Sequence, residues 1–428
     1  MMEEKRKSSC VLERFEGNPI LEPRPEHWWE SKAVFNPSAI YEGGKVHMIY
    51  RALGDSYISV FGYASSVDGF YIDERLPEPI YVPREPFEGS GLLSSMPSYH
   101  QRTYVPTEDE SYESYVSGGG WGGCEDPRLT RIEDRVFMTY VAFDGCSPPR
   151  VALTSIHIDD FLNKNWQWKK PVLISRPGVI DKNACILPEK INSKYVIFHR
   201  IFPDILIDFI DDLDFDGTTR WLKGEFKIPA REAYWASRKL GIGAPPIKTK
   251  NGWLLIYQGV DERDPDRYKI GTMLLDLKNP TKVLSRTEKP ILEPQAWYEN
   301  EGWKSGVIYP CGAVVIKDRL LVYYGGADKV TCVASAKLSE LLDQLVGVRE
   351  SVPSPTYAPP TEVKITPVTL TTPIKRVQGY CVKCRNKRIM KNARAITMKN
   401  GKPAIQGVCS VCGSKMFRIM KAGKGQVT

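Results

Sequence analysis

The sequence predicts an all-β chain: a five-bladed β-propeller over residues 15–348, a Pro/Thr-rich linker over 349–374, and a small zinc ribbon over 375–422. Three observations carry this reading. A layout of paired strands recurs five times with a period of about 60 residues. Helical periodicity is absent until the last part of that array. Two CxxC pairs then stand in a strongly basic tail.

The five copies run Phe35–Arg51, Glu125–Val141, Lys182–His199, Gly243–Gln258 and Tyr309–Tyr324. Each opens on small, polar or Pro-containing residues, continues as an apolar strand, turns on Gly or charged residues, and returns as a second strand. The second strand closes on an aromatic: Tyr50, Tyr140, Phe198, Tyr257 or Tyr323. Third strands are expected at Val60–Ser65, Val151–Ile156, Ile205–Ile210, Ile270–Leu275 and Cys332–Ala336, and fourth strands from segments such as Pro171–Ser175 and Pro290–Pro294. Roughly four short strands per unit describe a propeller blade. A pair of β-sandwiches is the rival architecture. A Pro/Gly/Ser-rich insertion over residues 75–120 lengthens the first interval and offers a surface for a homo-oligomer. One helix is expected around Ser339–Leu345, and the Pro/Thr-rich stretch after it cannot bury a core.

Composition narrows the class. An apolar fraction of 42% supports a sizeable core, and no apolar run reaches the ~20 residues of a membrane span. The N-terminus is charged and has no apolar core of a signal peptide, so a cytoplasmic protein without membrane contact is expected. The formal charge of +8 is unevenly spread. Residues 375–428 hold 14 Lys and Arg and no Asp or Glu, which leaves the preceding body net negative. Such a tail suits a polyanion or a protein partner. The six cysteines outside the CxxC pairs are scattered singly, as reduced thiols are.

The run Gly118-Gly-Gly-Trp-Gly-Gly-Cys-Glu-Asp-Pro-Arg128 is the strongest local signal. Its glycines permit close backbone approach, and strand alternation would turn Asp126 and Arg128 to one face with Glu125 on the other. In a propeller the innermost strands line a central channel, so equivalent positions of the copies meet there. The set assembled in this way holds one candidate acid, Asp126, among the cations Arg51, Arg128, Arg150, Lys182, His199 and Arg200. One acid among many cations suits an anionic co-substrate better than hydrolysis, which requires a second carboxylate to activate water. Asp261 or Asp328 would have to fill that role. A third reading is a non-catalytic propeller that binds glycans or proteins.

Gly123–Arg128, Phe35-Asn-Pro-Ser38, Tyr50-Arg51 and Tyr257-Gln-Gly-Val-Asp261 resemble glycoside hydrolase family 130. The resemblance implies a five-bladed propeller with β-mannoside phosphorylase activity, inorganic phosphate as co-substrate and no catalytic metal. It implies that Asp126 is the general acid, acting through a sugar hydroxyl, and that inversion gives α-mannose 1-phosphate. By the same analogy Arg150, Lys182, His199 and Tyr257 would hold phosphate. Asn36, Arg51, Arg128, Asp261 and Asp328 would contact an oligosaccharide of the mannobiose or mannosyl-glucose type.

In the tail, Cys381 and Cys384 are separated from Cys409 and Cys412 by a spacer of ribbon length, which predicts a Cys₄ zinc site. So small a unit would depend on the metal to fold. A thiol redox switch is the alternative.

Overall fold

A computed structural model describes residues 11–91, 118–347, 378–384, 386–397, 403–412 and 414–419. The linker 349–374 and most of the insertion, residues 92–117, lie outside the described residues. The chain divides into two compact units, the second beginning after residue 360.

The first unit is a five-bladed β-propeller. Blade 1 comprises Ala33–Glu42, Lys45–Leu53 and Ile58–Ser66 with Glu74–Arg75 at its edge. Blade 2 comprises Gly122–Ile132, Arg135–Phe143, Arg150–His157 and Val172–Leu173. Blade 3 comprises Lys182–Ile186, Tyr195–Ile201, Asp204–Ile210 and Phe226–Ile228. Blade 4 is Lys239–Ile242 with Ile247–Thr249, then Gly252–Asp261, Asp264–Leu275 and Val283–Arg286. Blade 5 is Ile308–Ile316, Arg319–Gly326 and Val330–Lys337. Its outer strand is supplied by Glu13–Arg14, which pairs with Ala334 and Ser335 and closes the ring. Blades 1 and 2 share one hydrogen-bonded sheet through a short parallel contact, Ile58 with Gly122 and Ser59 with Gly123. Helix Leu338–Gly347 follows and extends slightly beyond the expected span at both ends.

Each blade is buried on both faces, which explains the nearly unbroken apolar runs. Five apolar clusters fill the five seams between neighbouring blades. Ile49, Phe61 and Tyr63 of blade 1 meet Leu129, Val136 and Met138 of blade 2. Val151 and Leu153 of blade 2 meet Ile186 and Ile197 of blade 3. Phe198 and Ile207 of blade 3 meet Leu255 and Tyr257 of blade 4. Leu254 and Ile256, on the other face of the same strand, meet Leu320 and Val322 of blade 5. Leu321 and Tyr323 of blade 5 then meet Met48 and Tyr50 of blade 1. Alternation along a strand therefore sends successive side chains into different seams.

Buried carboxylates anchor the closing aromatics. The Tyr50 hydroxyl donates to Glu30 at 2.8 Å, Tyr140 to Glu88, and Tyr324 to Glu299 at 2.9 Å. Glu30 also accepts from Arg75, and Glu299 from Arg14 of the closing strand. In blade 3 the equivalent residue is His199 rather than Phe198. Phe198 stands opposite Cys185 and points into a seam, whereas His199 sits opposite the irregularity between Lys182 and Cys185, as Tyr140 does between Glu125 and Arg128. In blade 5 the hydroxyl that finds a glutamate is that of Tyr324. Tyr323 donates to the Gly69 carbonyl instead.

The second unit is a four-stranded antiparallel meander, Gln378–Cys381, Asn386–Thr397, Pro403–Cys409 and Lys415–Ile419. Its described core is small: Met390, Ile405, Cys409 and Met416.

Candidate active site

Three β-bulges shape the site. In blades 1, 2 and 3 the register between the first two strands slips at Asn36, Asp126 and Asn183. All three residues take the left-handed conformation, with φ of 51°, 51° and 57°. Asn and Asp are the non-glycine residues that accept this conformation most readily, and a bulge re-aims the side chain it carries. Here it turns each one into a common cavity of about 280 Å³. The bulge also breaks the alternation expected of Asp126 and Arg128, so the two do not face the same way.

Asp126 is held from two sides. Asn36 Nδ2 donates to its Oδ1 at 2.7 Å, and Arg51 Nη1 approaches the same oxygen at 3.4 Å. Arg51 Nη2 donates to Glu125 Oε1 at 2.9 Å, and Nε to Ser59 Oγ at 2.9 Å. Lys182 Nζ lies 3.7 Å from Glu125 Oε2. Glu125 is fully buried and serves as the structural counter-charge. Burial pushes the Asp126 carboxyl up, but Arg51, Arg128, the Asn36 amide and Lys182 outweigh it and hold the group below the usual carboxylate range.

The glycine-rich run brings its backbone to this site. Gly118, at φ 59°, lies against the Phe35 ring and the Arg51 guanidinium, where a Cβ would come 2.6 Å from Phe35 Cζ. Gly123, at φ 107°, packs on the Ser59 backbone at the junction of blades 1 and 2.

Five cations line the cavity among the described residues: Arg51, Lys182, Arg200, Lys239 and Lys304. Lys239 Nζ donates to Tyr268 Oη at 2.6 Å, and the Lys304 ammonium lies 4.9 Å from the Tyr268 ring centre. Burial pushes the Tyr268 hydroxyl up, but Lys239 and Lys304 outweigh it and leave the group more acidic than usual. Tyr309, whose hydroxyl accepts from Asn183 Nδ2, completes this wall. Among the described residues, Asn36 Oδ1, Asn183 Oδ1 and Arg200 Nε are buried without a hydrogen-bond partner. Buried polar atoms are rarely left so; here Asn36 Oδ1 packs close to Gly325 and Asn183 Oδ1 close to Gly241.

Of the residues expected at the site, Asp126, Asn36, Arg51, Lys182 and Asp328 line the cavity, and Arg128, Arg150, His199, Tyr257 and Asp261 do not. Arg128 is buried beneath the floor, where its guanidinium donates to the Gly243 carbonyl at 3.0 Å and the Asp126 carbonyl at 2.8 Å. It ties blade 2 to blade 4. Arg150 opens a third strand, away from the axis, and is engaged by the Ser175 carbonyl and the Trp221 ring. His199 has no exposed surface, and both its ring nitrogens are taken, by Asp181 at 2.8 Å and Asp208 at 3.0 Å. Burial pushes the imidazole down, yet these two carboxylates raise it to about 10. It is an imidazolium clamped behind Lys182 and Arg200, which pair across the strands there. Tyr257 stacks on Trp235 in a seam, and Asp261 is engaged by Arg263 and Ser237.

Sequence reasoning missed Lys239, Tyr268, Trp303 and Lys304. Lys239 belongs to the true first strand of blade 4, which precedes the repeat as read from Gly243. Trp303 and Lys304 come from the loop entering blade 5, which has no counterpart in the repeated pattern.

In the second unit, the thiols of Cys384, Cys409 and Cys412 lie within 4.8 Å of one another, and the Cys384 and Cys409 sulfurs are 3.9 Å apart. A tetrahedral zinc site with Zn–S bonds near 2.3 Å places its sulfurs about 3.8 Å apart. Cys381 ends the first strand of this unit, and its side chain lies outside the described residues.

Asp328 carries a testable consequence. Burial raises its carboxyl to about 6, with Asp126 adding to the rise and Arg51 opposing it. Between about pH 4 and 6 the folded chain therefore holds a proton that the unfolded chain has lost. The stability from this group is full below about pH 4 and disappears as pH rises through 6. Asp328→Asn, neutral throughout, is expected to match the parent in urea unfolding at pH 4. At pH 7.5 it should exceed the parent by roughly 2–3 kcal/mol. A variant less stable than the parent at pH 7.5 would contradict this electrostatic reading.

The family model for glycoside hydrolase family 130, described as β-1,4-mannooligosaccharide phosphorylase, matches residues 107–346, and a domain of unknown function, DUF5679, matches residues 380–419. The chain is 37% identical over 340 residues to a 1,2-β-oligomannan phosphorylase of Thermoanaerobacter sp. (strain X514), covering 77% of this chain and 98% of the relative. It is 37% identical over 330 residues to a β-1,2-mannobiose phosphorylase of the same organism, covering 74% and 94%. Among solved structures, the β-1,2-mannobiose complex of the Listeria innocua β-1,2-mannobiose phosphorylase is similar, with a TM-score of 0.58 at 26% identity, covering 79% of this chain and 99% of that one. With its bulged Asp126 in a cation-lined axial cavity and these matches along the whole propeller, the chain belongs to glycoside hydrolase family 130.

Proposed function

We propose that the protein is an inverting phosphorylase that cleaves β-1,2-linked mannosides with inorganic phosphate, releasing α-mannose 1-phosphate and a shortened sugar. The observation that carries this reading is the buried Asp126 carboxylate in a cavity lined by five cations. Mannoside phosphorolysis is supported by the family, and the β-1,2 linkage by the relatives of 37% identity.

Phosphate is held among Lys182, Arg200 and Lys239, with the Tyr268 hydroxyl beside them. Asn36, Asn183 and Asp328 line the same cavity and contact the sugar hydroxyls. Attack by a phosphate oxygen forms the new C1–O bond as the glycosidic C1–O bond breaks. Asp126 takes up a proton that the phosphate monoanion brings into the cavity and passes it through a sugar hydroxyl to the leaving oxygen, so the carboxylate ends ionised while the remaining phosphate proton stays with mannose 1-phosphate. Before phosphate binds, the cations around Asp126 lower its pKa. A phosphate dianion beside Lys182 cancels part of their field, so nucleophile binding raises the proton affinity of the acid when the proton is needed.

The test is a product assay on β-1,2-mannobiose with and without phosphate. Mannose 1-phosphate is expected only with phosphate, and Asp126→Asn is expected to lower its rate roughly 10²–10⁴-fold while leaving the fold intact. Lys182→Met is expected to raise the KM for phosphate. Free mannose at a rate indifferent to phosphate would reject the reading and make Asp328, the second carboxylate in the cavity, a base that activates water.

The C-terminal unit is assigned a structural zinc held by Cys384, Cys409 and Cys412, with Cys381 as the fourth thiolate. When bound, the metal supplies a tetrahedral crosslink and no catalysis. Purified full-length protein is expected to contain about one equivalent of zinc, and Cys409→Ser to lose it. Metal-free protein with an intact C-terminal unit would overturn the assignment.

A further inference from the structure

The mouth of the cavity carries a feature that the chemistry of the inner site does not use. Trp303 lines the cavity, yet its indole is 46% exposed. It is fixed by its surroundings. Gly119, at φ 77°, lies flat against it, and a Cβ there would come 2.8 Å from indole Cδ2. On the chain before it, Gly302 packs on the Ala327 carbonyl so closely that no side chain fits. On the chain after it, the Lys304 amide donates to the same carbonyl at 3.1 Å. The indole is thus anchored to the turn that carries Asp328.

Two further rings pack in series with Trp303. Tyr57 and Trp121 stack with centroids 5.3 Å apart, and Trp303 meets Tyr57 edge-on at 6.1 Å. Tyr57 holds a φ of 55°, which is costly for an aromatic residue and is sustained only where the surroundings fix it. A rigid, half-exposed aromatic beside a polar cavity loses little conformational entropy when a ligand covers it.

The cavity, at about 280 Å³, stands at the low end of ligand pockets, which run ~300–1,000 Å³. It accommodates the reacting end of a substrate together with phosphate. A substrate longer than the cavity extends toward solvent, and Trp303 is the lining residue that stands half-exposed there.

We infer that Trp303 is a stacking platform for a mannosyl unit beyond the reacting linkage, so that the enzyme selects oligomannosides of three or more units over the disaccharide. This rests on the mannoside phosphorylase reading. The apolar C–H face of a pyranose covers the indole, while its hydroxyls remain in solvent.

The experiment measures phosphate-dependent release of mannose 1-phosphate from β-1,2-linked mannobiose, mannotriose and mannotetraose. In the parent enzyme, kcat/KM is expected to rise about tenfold from the disaccharide to the trisaccharide and little thereafter. Trp303→Ala should bring the trisaccharide-to-disaccharide ratio close to one, chiefly through KM, and Trp303→Phe should retain part of it. Calorimetric binding of mannotriose without phosphate, in the parent and both variants, should give the same order and does not depend on turnover. A parent ratio near one, or a ratio unchanged in Trp303→Ala, would overturn the inference while leaving phosphorolysis standing. Absence of mannose 1-phosphate from every length would instead reject the underlying reading.

Discussion

Arg51 is the interaction on which the site depends. Its guanidinium crosses from blade 1 to blade 2, satisfies the fully buried Glu125, and reaches the Asp126 carboxylate that the bulge turns inward. A buried carboxylate without such a partner would neutralise itself by taking up a proton. Arg51, Arg128 and Lys182 together hold the Asp126 carboxyl below the usual carboxylate range. Lys182, one of the cations that lower its pKa, also lines the cavity beside Arg200 and Lys239, where an anion would be received. Charge balance therefore links the acid and the nucleophile before any substrate arrives.

The scaffold keeps this balance by fixing blades 1, 2 and 3 at two depths. Near the axis the bulges at Asn36, Asp126 and Asn183 set the direction of three side chains. Behind them the second strands are anchored by buried acids: Glu30, Glu88 and Glu299 to tyrosine hydroxyls, and Asp181 with Asp208 to His199. Apolar seams alone hold a blade weakly along its strands, because volume can be filled in several registers. A hydrogen-bonded acid that must not be left unpaired selects one register. His199 thus serves the cavity from behind, by fixing the strand pair that presents Lys182 and Arg200.

The propeller was legible in the sequence because the seams impose it: each blade requires paired apolar strands, and they recur at a nearly constant interval. Asp126, Asn36, Arg51, Lys182 and Asp328 were legible because they fall at equivalent positions of the repeat. What misled was the assumption of unbroken alternation. One extra residue at each bulge separates Asp126 from Arg128 and replaces Phe198 by His199, and no single strand pattern reveals it. The left-handed bias of Asn and Asp just before Pro37 and Pro127 is the local signal that marks the bulges of blades 1 and 2. Lys239, Tyr268, Trp303 and Lys304 lie in strand starts and loops outside the repeated unit, where position in sequence says little about position around the axis.

The central claim is that a cation-lined cavity makes phosphate, not water, the nucleophile at the mannosyl carbon. It is tested most directly by running β-1,2-mannobiose and phosphate in ¹⁸O-enriched water and following the label by mass spectrometry. The account predicts mannose 1-phosphate with no label in its C1–O–P bridge, formed in equal amount to the phosphate consumed and to the mannose released from the reducing end. Two mannoses released per disaccharide, with phosphate left unconsumed, would contradict it.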